Sequence, residues 1–172
     1  NITEAEGGGP KPSLKVAKRQ LPLSIKANER AVTTQDYATF AESLVPGVLR
    51  AKAVAGLFQA GGNPIILFIV PNGGGSLTSA LANKIVTTLR FGTGSAPGVS
   101  LAGRRIFART AAYVDLLITA DVHVQRGSKA STVGERVRNA FSSRYALDAV
   151  DFGEAVDTQD AYNTVDPIEQ GI

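Results

Sequence analysis

Two rhythms of apolar and polar residues run along this chain and predict its elements. In "RAVTTQDYATFAESLVPGVLRAKA", Arg30 to Ala53, the residues Tyr37, Phe40, Ala41 and Leu44 fall at i, i+3, i+4 and i+7, one face of a helix. Thr33 is placed to cap it. Asp36, three residues on, stands in for the Glu or Gln of a capping box, and Val32 and Tyr37 are spaced as a hydrophobic staple. Pro46-Gly47 ends the helix, because proline cannot continue the hydrogen-bond ladder. "VLRAKAVAGLF", Val48 to Phe58, then reads as a strand, with "QAGGN" as a hairpin loop into the apolar strand Ile65 to Val70.

After the break at "PNGGGS", Ser76 is placed to cap a second helix with the stripe Leu77, Leu81, Ile85, Thr88 and Leu89. "VSLAGRRIFART" reads as a weaker, basic strand or strand pair. The clearest alternation lies in "YVDLLITADVHVQ". There Val114, Leu116, Ile118, Ala120, Val122 and Val124 share one face, while Asp115, Leu117, Thr119, Asp121, His123 and Gln125 share the other. That period of two predicts a strand in a sheet covered on one side. Past the turn "RGSKAS", Val133, Val137, Ala140, Phe141 and Tyr145 make an amphipathic helix with Arg136, Arg138 and Arg144 off its stripe. "AVDFGEAV" reads as a short strand, and Thr158 opens a short helix expected to be cut at Pro167.

Elements therefore alternate as α-β-β-α-β and then β-α-β-α. The hairpin connections predict an α+β fold, two small α/β sandwich subdomains in series, with mostly antiparallel sheets and helices on one face. Residues 1–29 are read as a linker, "EAEGGGPKPS", followed by a short helix from Ser13 that ends near Pro22. Residues 30–110 form the first subdomain and 111–172 the second, divided near Thr110. The chain has no Met, begins at Asn1 and ends at Ile172, so we expect a piece of a longer polypeptide with its second subdomain truncated.

Composition narrows the chemistry. At 172 residues and 44% hydrophobic, the chain can bury a core in one domain or two small ones. It has no Cys, which excludes disulfides, Cys-ligated zinc and thiol nucleophiles, and fits a cytosolic product. Its longest apolar run, Ile65 to Val70, is far below the roughly 20 residues that cross a bilayer, and no secretory leader pattern opens the chain. The net charge of +3 hides an asymmetry. From Asp148 onward stand seven acidic residues (Asp148, Asp151, Glu154, Asp157, Asp160, Asp166, Glu169) and no Lys or Arg. Residues 1–147 hold all 18 basic and the other 8 acidic residues, +10 against −7. Such an end is either a solvated polar surface or a segment that docks on a basic one.

No constellation reads as catalytic. His123, the single histidine, shares a strand face with Asp121 and Asp115, but a metal site needs three or more good ligands, and a polar residue on an open strand face is the simpler account. "IVPNGGGSLTSAL" has the order strand, glycine turn and helix start that can hold phosphate. It lacks the Lys of a Walker loop and the spacing of a dinucleotide fingerprint, and a capped turn explains it. Arg104, Arg105 and Arg109 beside Phe107 raise a nucleic-acid contact, yet no aromatic pair on central strands is evident and "RRIFAR" does not match RNP1. No G-x-S-x-G elbow occurs, and one histidine limits triads. No metal, cofactor or small-molecule substrate is expected.

"RAVTTQDYATFAESLVPGVLRAKAV" resembles the signature of the baseplate J-like proteins of contractile phage tails and related injection machines. The shared elements are Arg30-Ala31-Val32-Thr33, Asp36-Tyr37, Ala41, Pro46-Gly47-Val48 and Arg50-Ala51-Lys52. The order of later elements is similar too, with a strand ending in Pro71, a helix over Leu77 to Leu89, the alternating segment Tyr113 to Val124, "DFG" at Asp151 to Gly153 and a closing "IEQGI". This chain departs where Pro167 interrupts the last helix and where it stops. The resemblance implies a non-enzymatic wedge subunit, built into a ring around the tail hub and pairing with copies of itself and with other wedge and hub proteins. Its place would be the virion baseplate, assembled in the host cytoplasm, or an injection particle assembled in the cytoplasm. It carries no catalytic residues. The residues Arg30, Ala31, Val32, Thr33, Asp36, Tyr37, Pro46 and Gly47 are expected to shape the fold, with Arg50, Lys52, Arg104, Arg105, Asp157 and Asp160 as interface contacts. A basic α+β module that binds nucleic acid is the alternative.

Overall fold

The computed structural model describes residues 30–56, 63–94, 96–124 and 126–169. The expected linker and short helix over 1–29, and the expected strand end at Phe58, lie outside the described residues. The chain divides into two compact units, Asn1–Thr110 and Ala111–Ile172.

The first unit is built on an α+β plan. Helix α1 (Thr34–Leu44) leads into strand β1 (Val48–Ala55), which pairs antiparallel with β2 (Ile65–Pro71). Helix α2 (Ser79–Phe91) follows, then a two-residue ladder of β3 (Gly92–Thr93) with β4 (Ala96–Pro97), and then β5 (Ile106–Thr110). The sheet order is β1-β2-β5, and β5 runs parallel to β2. The sheet is thus mixed rather than mostly antiparallel. A parallel neighbour needs a crossover, and α2 supplies it by carrying the chain back past the sheet before β5 begins. The alternation inside β2 sets the core. Ile65, Leu67 and Ile69 are buried together with Tyr37, Phe40, Ala41 and Val45 from α1 and its end, Ile85 and Leu89 from α2, and Ile106 from β5.

Helix α1 differs in detail from its expected face. Tyr37, Ala38, Phe40, Ala41 and Val45 are buried, while Leu44 lies partly in solvent. The stripe therefore includes Ala38 and Val45, because Val45 turns inward where the helix ends. Val32 is 62% exposed, so the staple with Tyr37 contributes little burial. In α2 the cap is Thr78, whose hydroxyl accepts the Leu81 N–H at 3.3 Å, and not Ser76. The Leu77 N–H is taken by the Thr110 hydroxyl of β5 at 3.0 Å, which ties residues just before the helix to the sheet.

The second unit is helical among its described residues. Helix α3 (Ala130–Arg144) packs with α4 (Thr158–Glu169), burying Val133 and Val137 and stacking Phe141 on Tyr145. Two strand expectations fail here. Residues 111–124 run without turn, bend or helix, but no strand pairs with them among the described residues. Residues 149–156 form turns and irregular chain. Alternation assigns a face to a segment; it does not supply the neighbour that a strand requires. Helix α4 also continues past Pro167 to Glu169, so the proline does not cut it; lacking an N–H, it forgoes one ladder bond to the turn before it.

Candidate functional site

The segment that carries the resemblance folds as one closed device. Thr33 is the cap of α1: its hydroxyl accepts the Asp36 N–H at 3.2 Å, while the Asp36 carboxylate accepts the Thr33 N–H at 2.8 Å and the Val32 N–H at 3.0 Å. Three main-chain N–H donors at the helix entrance are thereby satisfied by two side chains. Burial pushes the Asp36 carboxyl upward. The hydrogen bonds from the Thr33 and Val32 main chain and the Thr33 side chain outweigh it, and the net result lies below the ordinary 3.8.

Just upstream, Ala31 is fully buried, donates its N–H to Val99 at 2.8 Å and bridges to Ser100 in parallel. The Tyr37 hydroxyl lies 3.2 Å from the Ser100 hydroxyl, and the Ser100 N–H donates to Leu89 at the end of α2. Tyr37 is thus buried with its polar tip partnered, which a buried phenol requires. At the other end, Val45-Pro46-Gly47-Val48 is a tight turn closed by the Val48 N–H on the Val45 carbonyl, with Gly47 at φ 102°. Proline second and glycine third is the pattern of a type II turn, whose third residue needs positive φ. The Gly47 carbonyl then accepts the Asn72 N–H, fastening the turn to the end of β2. Arg30 and Pro46 are exposed.

The expected interface residues separate on inspection. Lys52 and Arg105 are exposed. Arg50 is only 4% exposed, so it is not available as a surface contact as the strand pattern suggested. Arg104 donates to the Asn63 carbonyl at 3.0 Å and is half-buried. Asp157 and Asp160 have a structural duty: the Asp157 carboxylate accepts the Asp160 N–H at 2.8 Å and the Asp160 carboxylate reaches back to the Asp157 N–H at 3.4 Å. They form a capping box for α4, and the D-x-x-D spacing before that helix is the sequence signal for it. Glu154 bonds Arg144 at 2.7 Å and also accepts the Asp151 N–H at 2.7 Å. The hydrogen bond that Arg144 donates to the Glu154 carboxylate holds its pKa above the ordinary value, and the charges of Glu154 and Asp160 add to it.

Strand register exposes a cluster that sequence reading missed. Since Ile65, Leu67 and Ile69 face the helices, Ile66, Phe68 and Val70 point to the opposite side of the sheet. Across the ladders, Lys52 lies beside Phe68 and Phe68 beside Arg109, while Val54 lies beside Ile66 and Ile66 beside Phe107. Phe68 and Phe107 are therefore diagonal neighbours on one face, with a cation on each flank. Phe107 is 48% exposed, and Lys52 and Arg109 are exposed. The alternation is visible in each strand, but only the parallel register of β5 on β2 makes the two phenylalanines diagonal neighbours.

Among the described residues no group of three or more His, Asp or Glu side chains could hold a metal ion, and His123, Asp121 and Asp115 are each exposed. No described helix is long and apolar enough to cross a membrane. No family model matches the chain, and no curated protein sequence matches it.

Proposed function

We propose that this chain is a structural wedge component of a contractile-tail baseplate, assembling with copies of itself and with other wedge and hub proteins around the tail axis. One observation carries the reading. Most residues of the resemblance, which runs from Arg30 to Lys52, belong to a single interlocked entrance to the fold, with a capping box, a partnered buried tyrosine and a type II turn. A segment most of whose residues shape the chain suits a subunit whose task is to present rigid surfaces. Ring assembly needs two different patches on one subunit, and the separation of basic body from acidic end offers charges of opposite sign for them. The test is to tag this chain in its native host, purify tail particles and image them. The tag should co-sediment with intact particles and decorate the baseplate; recovery of the tag only as free protein would exclude the reading.

The exposed face of β1, β2 and β5 favours a second reading, a module that binds single-stranded nucleic acid. Phe68 and Phe107 offer stacking surfaces and Lys52 and Arg109 offer phosphate contacts. Binding to an oligonucleotide should then weaken steeply with salt, and Phe107→Ala should weaken it by roughly tenfold, in line with one lost stacking contact. Affinity that is absent at low salt, or indifferent to Phe107→Ala, removes this reading.

A further inference from the structure

We propose that residues 114–124 form a symmetric antiparallel strand pair with the same segment of a second copy of this chain. The segment has the requirements of a strand except a neighbour. It runs without turn, bend or helix, and among the described residues its main-chain groups make no hydrogen bond. Val114 and Leu117 are 92% exposed, and Leu116 and Val122 are about half exposed. Unpaired main chain beside exposed apolar side chains is an edge that invites pairing.

The sequence selects both the partner and the register. When the two-fold axis passes through Thr119, each residue faces the one whose number completes 238. Val114 then faces Val124, Leu116 faces Val122 and Ile118 faces Ala120, so the whole apolar face is continuous across the pair. On the other face Thr119 meets its own copy, and Asp115 meets His123 twice, once on each side of the axis. Opposite-charge or hydrogen-bonding pairs across a ladder stabilise it, and like charges oppose it. Moving the axis to Ile118 places Asp115 opposite Asp121 on both sides. A slip of one residue turns the apolar face against the polar one. The register centred on Thr119 alone keeps the apolar face intact over all of 114–124 and pairs acid with imidazole. This interface does not rest on the baseplate reading: it is a property of two copies in dilute solution, and a wedge subunit that contacts only other proteins remains possible without it.

The absence of cysteine makes the test direct. The full 172-residue chain carrying Thr119→Cys should form a disulfide-linked dimer under mild oxidation. Asp121→Cys should not, since in this register it faces Leu117 and its own copy is several residues away. Sedimentation of the unmodified chain should show a dimer. Asp115→Lys should weaken it by about tenfold, since it removes the acceptor carboxylate opposite His123 on both sides of the axis, and adding His123→Glu should restore it by setting opposite charges there. Thr119→Pro should abolish it while leaving the helical circular dichroism unchanged, because position 119 lies outside the described helices. A monomer at all concentrations, equal crosslinking of Thr119→Cys and Asp121→Cys, or a dimer indifferent to Thr119→Pro and Asp115→Lys would overturn the proposal.

Discussion

Two pairs of residues show how a short polar side chain can decide where a helix begins. Thr33 with Asp36, and Asp157 with Asp160, each exchange hydrogen bonds between side chain and main chain across one turn. Thr33→Ala should cost about 1 kcal/mol of stability in urea unfolding, the usual loss for such a cap. Asp36→Asn should cost less, and its cost should depend on acidity. The Asp36 pKa is depressed in the folded state, so its contribution is fully present above the ordinary value of 3.8 and is lost as pH falls through the lower folded value. Wild type and Asp36→Asn should therefore differ at pH 7 and converge at strongly acid pH; a difference that persists there would assign the effect to packing. At the other box, Asp157→Asn keeps a good capping side chain and Asp157→Ala does not. The alanine variant should lose helical signal from α4, and the asparagine variant should retain it. This distinction matters for any test of the acidic end, since reversing Asp157 would disturb the helix along with the charge.

At the scale of elements, close approach sets the limits. Gly98 lies against the last turn of α2, and a Cβ there would collide with the Arg90 carbonyl and the Phe91 nitrogen. Gly98→Ala should destabilise the first unit by roughly 1–3 kcal/mol, the range for forced overpacking, with the loss read as an earlier urea midpoint. Equal stability would mean that the chain beside β4 shifts freely. The same scale shows what could be read from the chain beforehand. The capping box at Thr33, the Pro46-Gly47 stop and the stripe ending in Ile85 and Leu89 depend on residues within a turn or two of each other, and all three are found in the structure. Thr78 displaced Ser76 as a cap because both side chains suit the role, and the link from Leu77 to Thr110 is made by a residue far along the chain. The same distance hid the diagonal placing of Phe68 and Phe107 and the parallel direction of β5. Residues 113–124 depart from their pattern for the converse reason: the alternation is local and clear, while the ladder it would join is absent among the described residues.

At the scale of the whole molecule, charge and main-chain pairing make separable demands. If the acidic end docks on the basic residues of another copy, association measured by light scattering should fall as salt rises from about 50 mM to about 500 mM, where screening shortens to a few ångströms. Pairing through residues 114–124, held mostly by main chain and apolar contact, should survive that change. Association that is wholly insensitive to salt would remove the electrostatic account of the charge asymmetry. The position of β2 between two different neighbours has a consequence for time. Its partner Val54 stands 12 positions before Ile66, whereas its partner Ile106 stands 41 positions after Ile65. Chain closure over the longer span is dearer in entropy, so the β1–β2 hairpin is expected to form first and β5 to arrive after α2 has folded over it. In stopped-flow experiments Ala51→Gly should then slow refolding, while Ile106→Val should chiefly speed unfolding. The strand at the centre of the sheet would thus be completed on one edge early and on the other late, and during that interval the side later covered by β5 is the edge at which a nascent chain is open to mispairing.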